Sequence, residues 1–297
     1  MVALQEAAPA KINLYLEVLG RRPDGYHDLD SLVVFADVGE RLEAARAGDM
    51  ALAVTGPMAA GLAHEADNLV LRAAHALRAL SPANPGARLV LDKRMPVASG
   101  IGGGSADAAA ALRLLNRLWA LALDEASLCR LGARLGADVP ACVRARPTRF
   151  QGTGAILAEA PALPAGLGLV LANPKVAVAT REVFAGVAPR GGKALDLPAR
   201  FKDFADLRDF LSMRGNDLTA PAARLAPAIA QCLAALKAAA PEGATRMSGS
   251  GATCFALVGS VARAKGIAAQ IAATHPDWWL WAGPLGQPAL DAEPRAT

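Results

Sequence analysis

Residues 96–106 read PVASGIGGGSA, with Gly100, Gly102, Gly103 and Gly104 inside five positions and Ser105 directly behind them. Glycines let a backbone approach a ligand closely and turn its N–H groups inward. The Ala- and Leu-rich run that follows reads as a helix. Its first N–H groups are unpaired and carry the positive end of the helix dipole. Together these features make an anion site, and Ser105 adds a hydroxyl suited to a phosphate or a bound cation. A dinucleotide fingerprint needs a third glycine where Ser105 stands, and an acidic residue at the end of a second strand that has no counterpart here. A Walker loop needs a lysine before its hydroxyl residue, whereas Gly104 abuts Ser105. The glycine loop of protein kinases lies between two strands, and this one opens a helix. A phosphate loop of another kind remains.

Three further stretches hold reactive side chains. Near the start, Ile12, Leu14, Leu16 and Val18 alternate with Lys11, Asn13, Tyr15 and Glu17, the pattern of a strand. Lys11 and Asn13 then project from one face. Asp138-Val139-Pro140 starts a helix, with Asp138 at the cap and Pro140 in the first turn. MSGSGATCFALV, residues 247–258, places Gly249, Ser250 and Gly251 between two strand-like pieces. It serves as a hairpin turn or as a second loop against a ligand.

The elements that must hold these residues are mixed. RPDGYHD, residues 22–28, is a turn, and DLDSLVVFADV resumes as a strand, with two more short strands to about Thr55. A helix over 66–80 is capped by Asp67 or Asn68. ARLVLDKRM is a strand into the glycine loop, and Ser105 to about Leu121 is a helix. SLCRLGARLG is another helix. Strands are expected near 148–159 and 167–172. Beyond them, helices near 180–186, 202–212, 217–239 and 260–273 alternate with strands near 244–247, 252–258 and 278–282. The Pro- and Gly-rich stretch from Ala160 to Gly168 predicts a domain boundary near 163. The pattern is α+β, not a regular succession of single strands and helices.

Composition excludes several classes. With 297 residues the chain makes one large domain or two ordinary ones. A net charge of +4, with no basic stripe interleaved with aromatics, argues against a nucleic-acid partner. Cys129, Cys142, Cys232 and Cys254 lack metal-ligand spacing and read as buried thiols in a reducing compartment. There is no basic, apolar leader, and no uncharged run approaches the ~20 residues of a membrane helix. A cytoplasmic protein without membrane contact is expected. The Pro- and Ala-rich tail after about Gly283 is expected to be disordered.

Three stretches occur in order: PAKINLYLEVLGRRPDGYHDLDS, PVASGIGGGSADAAAAL and MSGSGATCFAL. As a set they resemble the GHMP kinase superfamily, which includes galactokinase, homoserine kinase and mevalonate kinase. Its members share a Pro-x-x-x-Gly-Leu-Gly-Ser-Ser-Ala loop and a late glycine-rich loop. AKINL, RPDGYH, KRMPVASGIGGGSADAA, LGADVP and SGSG bring the chain nearest to the branch that phosphorylates 4-diphosphocytidyl-2-C-methyl-D-erythritol on its 2-hydroxyl, in the non-mevalonate route to isoprenoid precursors. The resemblance runs from Pro9 to about Val258.

The resemblance implies a two-domain GHMP kinase fold. A ribosomal-protein-S5-like ATP-binding domain would span 1–163, and a ferredoxin-like α/β sandwich domain 164–297. It implies ATP and Mg²⁺ as cofactors, with Ser105 near the metal. Lys11 and Asp138 match the catalytic pair. Pro96, Val97, Ala98, Ser99, Gly100, Ile101, Gly102, Gly103, Gly104, Ser105 and Ala106 match the ATP phosphate loop, and Asn68 and Lys93 match positions beside the nucleotide. Asn13, Tyr26, His27, Thr180 and Phe184 match the substrate side, with Tyr26 and Phe184 stacking on cytosine. The implied partner is a small molecule bearing cytidine diphosphate, and the chain is expected as a monomer or weak homodimer. At Ala98-Ser99-Gly100-Ile101 the family often has more glycines and a leucine. A change confined to side chains there is expected to leave the loop intact. Homoserine- or mevalonate-type acceptors fit less well, because they offer no base to the RPDGYH turn. A nucleotide-binding regulator without catalysis fits less well with Lys11 and Asp138 both present.

Overall fold

The computed structural model describes residues 3–60, 68–154, 156–188, 191, 193–194 and 196–285. The elements run β1 (Leu4–Arg21), β2 (His27–Ala47), β3 (Met50–Thr55), α1 (Leu69–Arg78), β4 (Gly86–Asp92), α2 (Gly103–Leu118), α3 (Glu125–Ala133), α4 (Val139–Arg144), β5 (Thr148–Gly152) and β6 (Ile156–Glu159). They continue with β7 (Gly168–Asn173), α5 (Thr180–Ala185), α6 (Phe204–Ser212), α7 (Thr219–Leu225), α8 (Ala228–Ala239), β8 (Ala244–Met247), β9 (Cys254–Val258), α9 (Val261–Thr274) and β10 (Trp279–Pro284). The expected tail disorder falls largely on residues 286–297, which lie outside the described residues, as does the alternative cap Asp67.

Three expectations about elements change. The strand after the first turn does not break into short pieces, because β2 runs 21 residues to Ala47 and only β3 stands apart. The glycine-loop helix starts two residues early, at Gly103, and ends at Leu118. The single helix expected over 217–239 divides into α7 and α8 at Ala226-Pro227. Proline lacks the N–H that would continue the helix and clashes with the preceding turn, so a new helix begins at it.

The strands form two sheets. The first has six strands in the order β3-β4-β2-β5-β6, with β1 paired along β2. The second has four strands in the order β10-β7-β9-β8, all neighbours antiparallel. The chain passes from one sheet to the other between Glu159 and Gly168. Ile12, Leu14, Leu32 and Val34 from the first sheet form one apolar cluster with Leu169, Leu171, Phe255 and Leu257 from the second. Each such side chain contributes about 1.5–3 kcal/mol by leaving water, so this layer fixes how the sheets sit. On its other side the first sheet carries α2, which packs on β1 and β2.

The simple alternation read along β1 holds only in part. Bulges interrupt its pairing with β2 between Pro9 and Lys11 and between Asn13 and Tyr15. A bulge inserts one residue and switches the face of everything after it. Tyr15 therefore joins Ile12 and Leu14 between the sheets, while Leu16 and Val18 join the helix-side cluster. Lys11 and Asn13 lie between the two bulges.

Candidate active site

Lys11 Nζ donates to Asn13 Oδ1 at 2.9 Å, so the two side chains share one face as the spacing predicts. The same ammonium lies 3.3 Å from Asp138 Oδ2. Asp138 occupies the cap position of α4, but its carboxylate makes no capping bond. The expected helix cap is thus one of position only, and the side chain is turned to Lys11. Lys11 is 3% exposed and Asp138 37%, so the cation is buried while the carboxylate reaches the cavity. Asn13 is fixed in turn by its Nδ2 donating to Ser31 Oγ at 2.8 Å.

The glycine loop packs against β1 and against the second glycine loop. The Lys11 N–H donates to Ile101 O at 2.9 Å. Ser248 Oγ donates to Gly100 O at 3.0 Å and accepts from the Asn13 N–H at 3.2 Å. The Thr253 N–H donates to Ser99 O at 2.9 Å. Gly100 has φ of 73°, and a Cβ there would lie 2.4 Å from Ser248 O, so only glycine permits the two backbones to meet. MSGSGAT is therefore a hairpin turn between β8 and β9 and also the prop of the first loop. Asn216 anchors that turn by donating to Met247 O at 2.8 Å and Gly249 O at 2.7 Å. Ala98 sits at φ of 50°, a left-handed conformation that costs a residue bearing Cβ about 1–2 kcal/mol.

At the head of α2, Gly102 is the cap in a left-handed conformation and supplies no side-chain bond. The N–H groups of the first turn are thus left without a capping side chain, as an anion site requires. Ser105 falls in the first turn and is half-buried, not at the cap. Asn68 caps α1, its Oδ1 accepting from the Val70 N–H at 2.9 Å.

Beneath the loop lies a cluster that the sequence does not announce. Lys93 Nζ sits 2.7 Å from Glu40 Oε1 and 2.8 Å from Asp107 Oδ2. Glu40 Oε2 also accepts from the Arg94 N–H at 2.7 Å, clamping the chain where it enters the loop. Burial lowers the Lys93 pKa, but the two carboxylates outweigh it and hold the ammonium above the ordinary lysine value. Burial pushes Asp107 up to about 7, with Lys93 opposing and Glu40 adding to the rise. Lys93 therefore has its charge balanced by protein while it still lines the cavity beside the loop. Arg113 is a second unannounced brace. It donates to Glu6, to Ala7 O and to Cys142 O, tying β1 to the end of α4 and so fixing Asp138 relative to Lys11.

A cavity of about 1150 Å³ joins these parts. Drug-sized sites run to roughly 1,000 Å³, so this one has room for two ligands end to end. Lys11, Asn13, Asn68, Lys93, Asp138 and the loop residues from Pro96 to Ser105 line it, except Ile101. Ile101 and Ala106 are buried in the core, and only the Ile101 carbonyl serves the site. Tyr26, His27, Thr180 and Phe184 line the far end. There His27, not Tyr26, meets Phe184, with ring centroids 5.2 Å apart, while Tyr26 is 63% exposed. Burial, then the nearby Arg21, holds the His27 pKa below its ordinary value. Thr180 Oγ1 lies 2.9 Å from Ser250 Oγ and so joins the far end to the second glycine loop. Arg21, Phe150 and Arg181 also line the cavity without having been singled out.

Comparison with known proteins gives consistent matches. The GHMP kinases N terminal domain matches residues 68–146, and the GHMP kinases C terminal domain matches 194–277. The chain is 47% identical over 280 residues to a 4-diphosphocytidyl-2-C-methyl-D-erythritol kinase of Paramagnetospirillum magneticum, covering 94% of this chain and 98% of that protein. It is 51% identical over 276 residues to one from Cereibacter sphaeroides, covering 92% and 96%. A crystal structure of 4-(cytidine 5'-diphospho)-2C-methyl-D-erythritol kinase superposes with a TM-score of 0.77 at 32% identity, over 95% of this chain and 99% of that one. Cys142, Cys232 and Cys254 are free, buried thiols as expected, whereas Cys129 is free but only half-buried. Among the described residues no helix is long and apolar enough to cross a membrane.

Proposed function

Because the chain belongs to the 4-diphosphocytidyl-2-C-methyl-D-erythritol kinase family of the GHMP kinases, we propose that it transfers the γ-phosphate of ATP to the 2-hydroxyl of that cytidine-linked polyol. The observation that carries this reading is the Lys11–Asp138 pair, 3.3 Å apart, set between a phosphate loop and an aromatic end in one cavity. The N-terminal domain, 1–163, supplies the loop and the pair, and the C-terminal domain, 164–297, supplies Thr180 and Phe184.

Phosphoryl transfer needs positioning and charge neutralisation more than covalent chemistry. The N–H groups of Gly103 to Ser105 and the α2 dipole receive the phosphates of ATP. Asn68 and the loop residues Pro96, Val97, Ala98 and Ser99 border the rest of the nucleotide. The acceptor hydroxyl has a pKa far above 7, so a carboxylate must take its proton as the transfer proceeds. Asp138 is that base. Lys11 keeps it ionised and offsets charge on the incoming oxygen. Asn13 holds Lys11 in place. Cytosine enters between Tyr26 and Phe184, and neutral His27 offers hydrogen bonds to its edge.

Mg²⁺ fits the donor set as a companion of ATP rather than as a resident ion. Among the described residues no three His, Cys, Asp or Glu side chains converge, while Ser105 and the unpartnered Asp107 Oδ1 lie by the loop. Ser105 is the residue to hold it, and when bound it shields the phosphate charge.

A coupled assay of ADP release with ATP, Mg²⁺ and the cytidine-linked acceptor tests the reading. Turnover with that acceptor and none with homoserine or mevalonate is expected. The reverse preference would replace the acceptor assignment, and no turnover with any of them would overturn the kinase reading.

A further inference from the structure

Two of the four lysine and arginine side chains lining the cavity are already balanced. Lys11 faces Asp138, and Lys93 faces Glu40 and Asp107. Arg21 and Arg181 also line the cavity, are exposed, and have no carboxylate partner among the described residues. Two unpaired guanidinium groups on a mildly charged chain mark a place where an anion is to be met.

Their placement is set by the backbone. Arg21 is the direct cross-strand partner of His27 at the end of the β1–β2 ladder, so both side chains leave the sheet on one face. Arg181 and Phe184 lie three residues apart on α5 and therefore share a face of that helix. His27 and Phe184 are in ring contact at 5.2 Å. Each arginine thus adjoins one ring of that pair, Arg21 beside His27 on the first sheet and Arg181 beside Phe184 on α5. Thr180, next to Arg181, reaches the second glycine loop through Ser250.

We propose that Arg21 and Arg181 form a clamp for the diphosphate of the substrate, between the aromatic pocket for its base and the Lys11–Asp138 pair. The assignment rests on the reading of the aromatic end as a cytidine site. The base is held by ring contact, which every cytidine derivative makes equally. The clamp supplies what that contact cannot, discrimination between a nucleoside and its diphosphate. Planar guanidinium groups match phosphate oxygens in pairs, so lysine at either position keeps charge but loses the paired geometry.

Titration calorimetry with cytidine, cytidine monophosphate and cytidine diphosphate tests this on the wild type, Arg21→Gln, Arg181→Gln and Arg181→Lys. Both arginines are exposed, so unchanged thermal midpoints are expected. The wild type is expected to prefer the diphosphate to cytidine, and each glutamine variant to lose about tenfold in diphosphate affinity with cytidine and ATP binding unchanged. Arg181→Lys should fall between. Equal affinity for cytidine and its diphosphate in the wild type would overturn the clamp, as would equal weakening of both ligands in the variants. If the cytidine-linked acceptor is turned over and the variants keep diphosphate affinity, the clamp fails and the kinase reading stands. If neither cytidine compound binds the wild type, both fail.

Discussion

Lys11 Nζ stands 3.3 Å from Asp138 Oδ2, and the two side chains differ sharply in exposure, 3% against 37%. The lysine is held by Asn13 and faces the Phe150 ring 6.0 Å away. The carboxylate has one close cation and an open side. That asymmetry suits a base, because the open side can meet a hydroxyl while the cation remains in place. It also explains why Asp138 does not cap α4, since a capping bond would turn the carboxylate away from Lys11.

Asp138→Asn is expected to lower kcat about 10²-fold or more while ATP affinity stays within about twofold, because only the proton acceptor is lost. Initial rates with nucleotide binding measured in parallel check this. Asp138 contributes no capping bond, but it is the carboxylate beside the buried Lys11, so the unfolding midpoint should also fall, and the retained ATP affinity shows that the site is still formed. A variant with near-normal kcat would remove Asp138 from its role.

The glycine loop, a cap at Asp67 or Asn68 and the shared face of Lys11 and Asn13 were legible in the sequence because each is local. Glycine spacing, an Asn before an apolar helix and a two-residue strand period all act within a few residues. What was not legible depends on partners far along the chain. Nothing in the sequence around Lys93 announces that Glu40 and Asp107 surround it. The bulges of β1 follow from its pairing with β2, and they move Tyr15 to the face that alternation gives to its neighbours. Arg113 looks like a solvated helix residue, yet it ties three segments together. The break at Pro227 did have a signal, since a proline inside a predicted helix marks a boundary.

Ser248→Ala removes the acceptor of the Asn13 N–H and the donor to Gly100 O. Leaving such groups unpaired costs about 1–3 kcal/mol of stability and frees the phosphate loop from β1. Urea unfolding should show that loss, and the KM for ATP should rise about tenfold, a further 1.4 kcal/mol in binding. Unchanged stability and unchanged KM together would show that the two loops do not depend on this hydroxyl.

Phe184→Ala is expected to raise the KM for the cytidine-linked acceptor about tenfold with kcat within a factor of two, matching roughly 1–3 kcal/mol for a stacked base. The ring also shelters His27, whose pKa is lowered first by burial. Removing it should let the His27 pKa rise toward its ordinary value, which an NMR titration reads directly. In the wild type His27 is neutral at pH 7, so acceptor KM should climb only on the acid side, as the imidazole protonates. An unchanged acceptor KM in Phe184→Ala would exclude it as the stacking ring.

Asp107 gives a prediction in the opposite direction from most carboxylates. Its pKa in the folded chain is pushed up to about 7 by burial, above the unfolded value of 3.8. Between these values the folded state holds a proton that the unfolded state has lost. Stability must then fall as pH rises from about 4 to about 7, by no more than about 1.4 kcal/mol per pH unit from this one group. Asp107→Asn keeps the shape and removes the titration, while Lys93 retains Glu40. Urea unfolding of both proteins across that range should show a downward slope in the wild type relative to the variant. Above about pH 7 both states have lost the proton, so the difference between the two chains should level off. Parallel curves would mean that Asp107 stays ionised throughout, with Lys93 fully offsetting its burial.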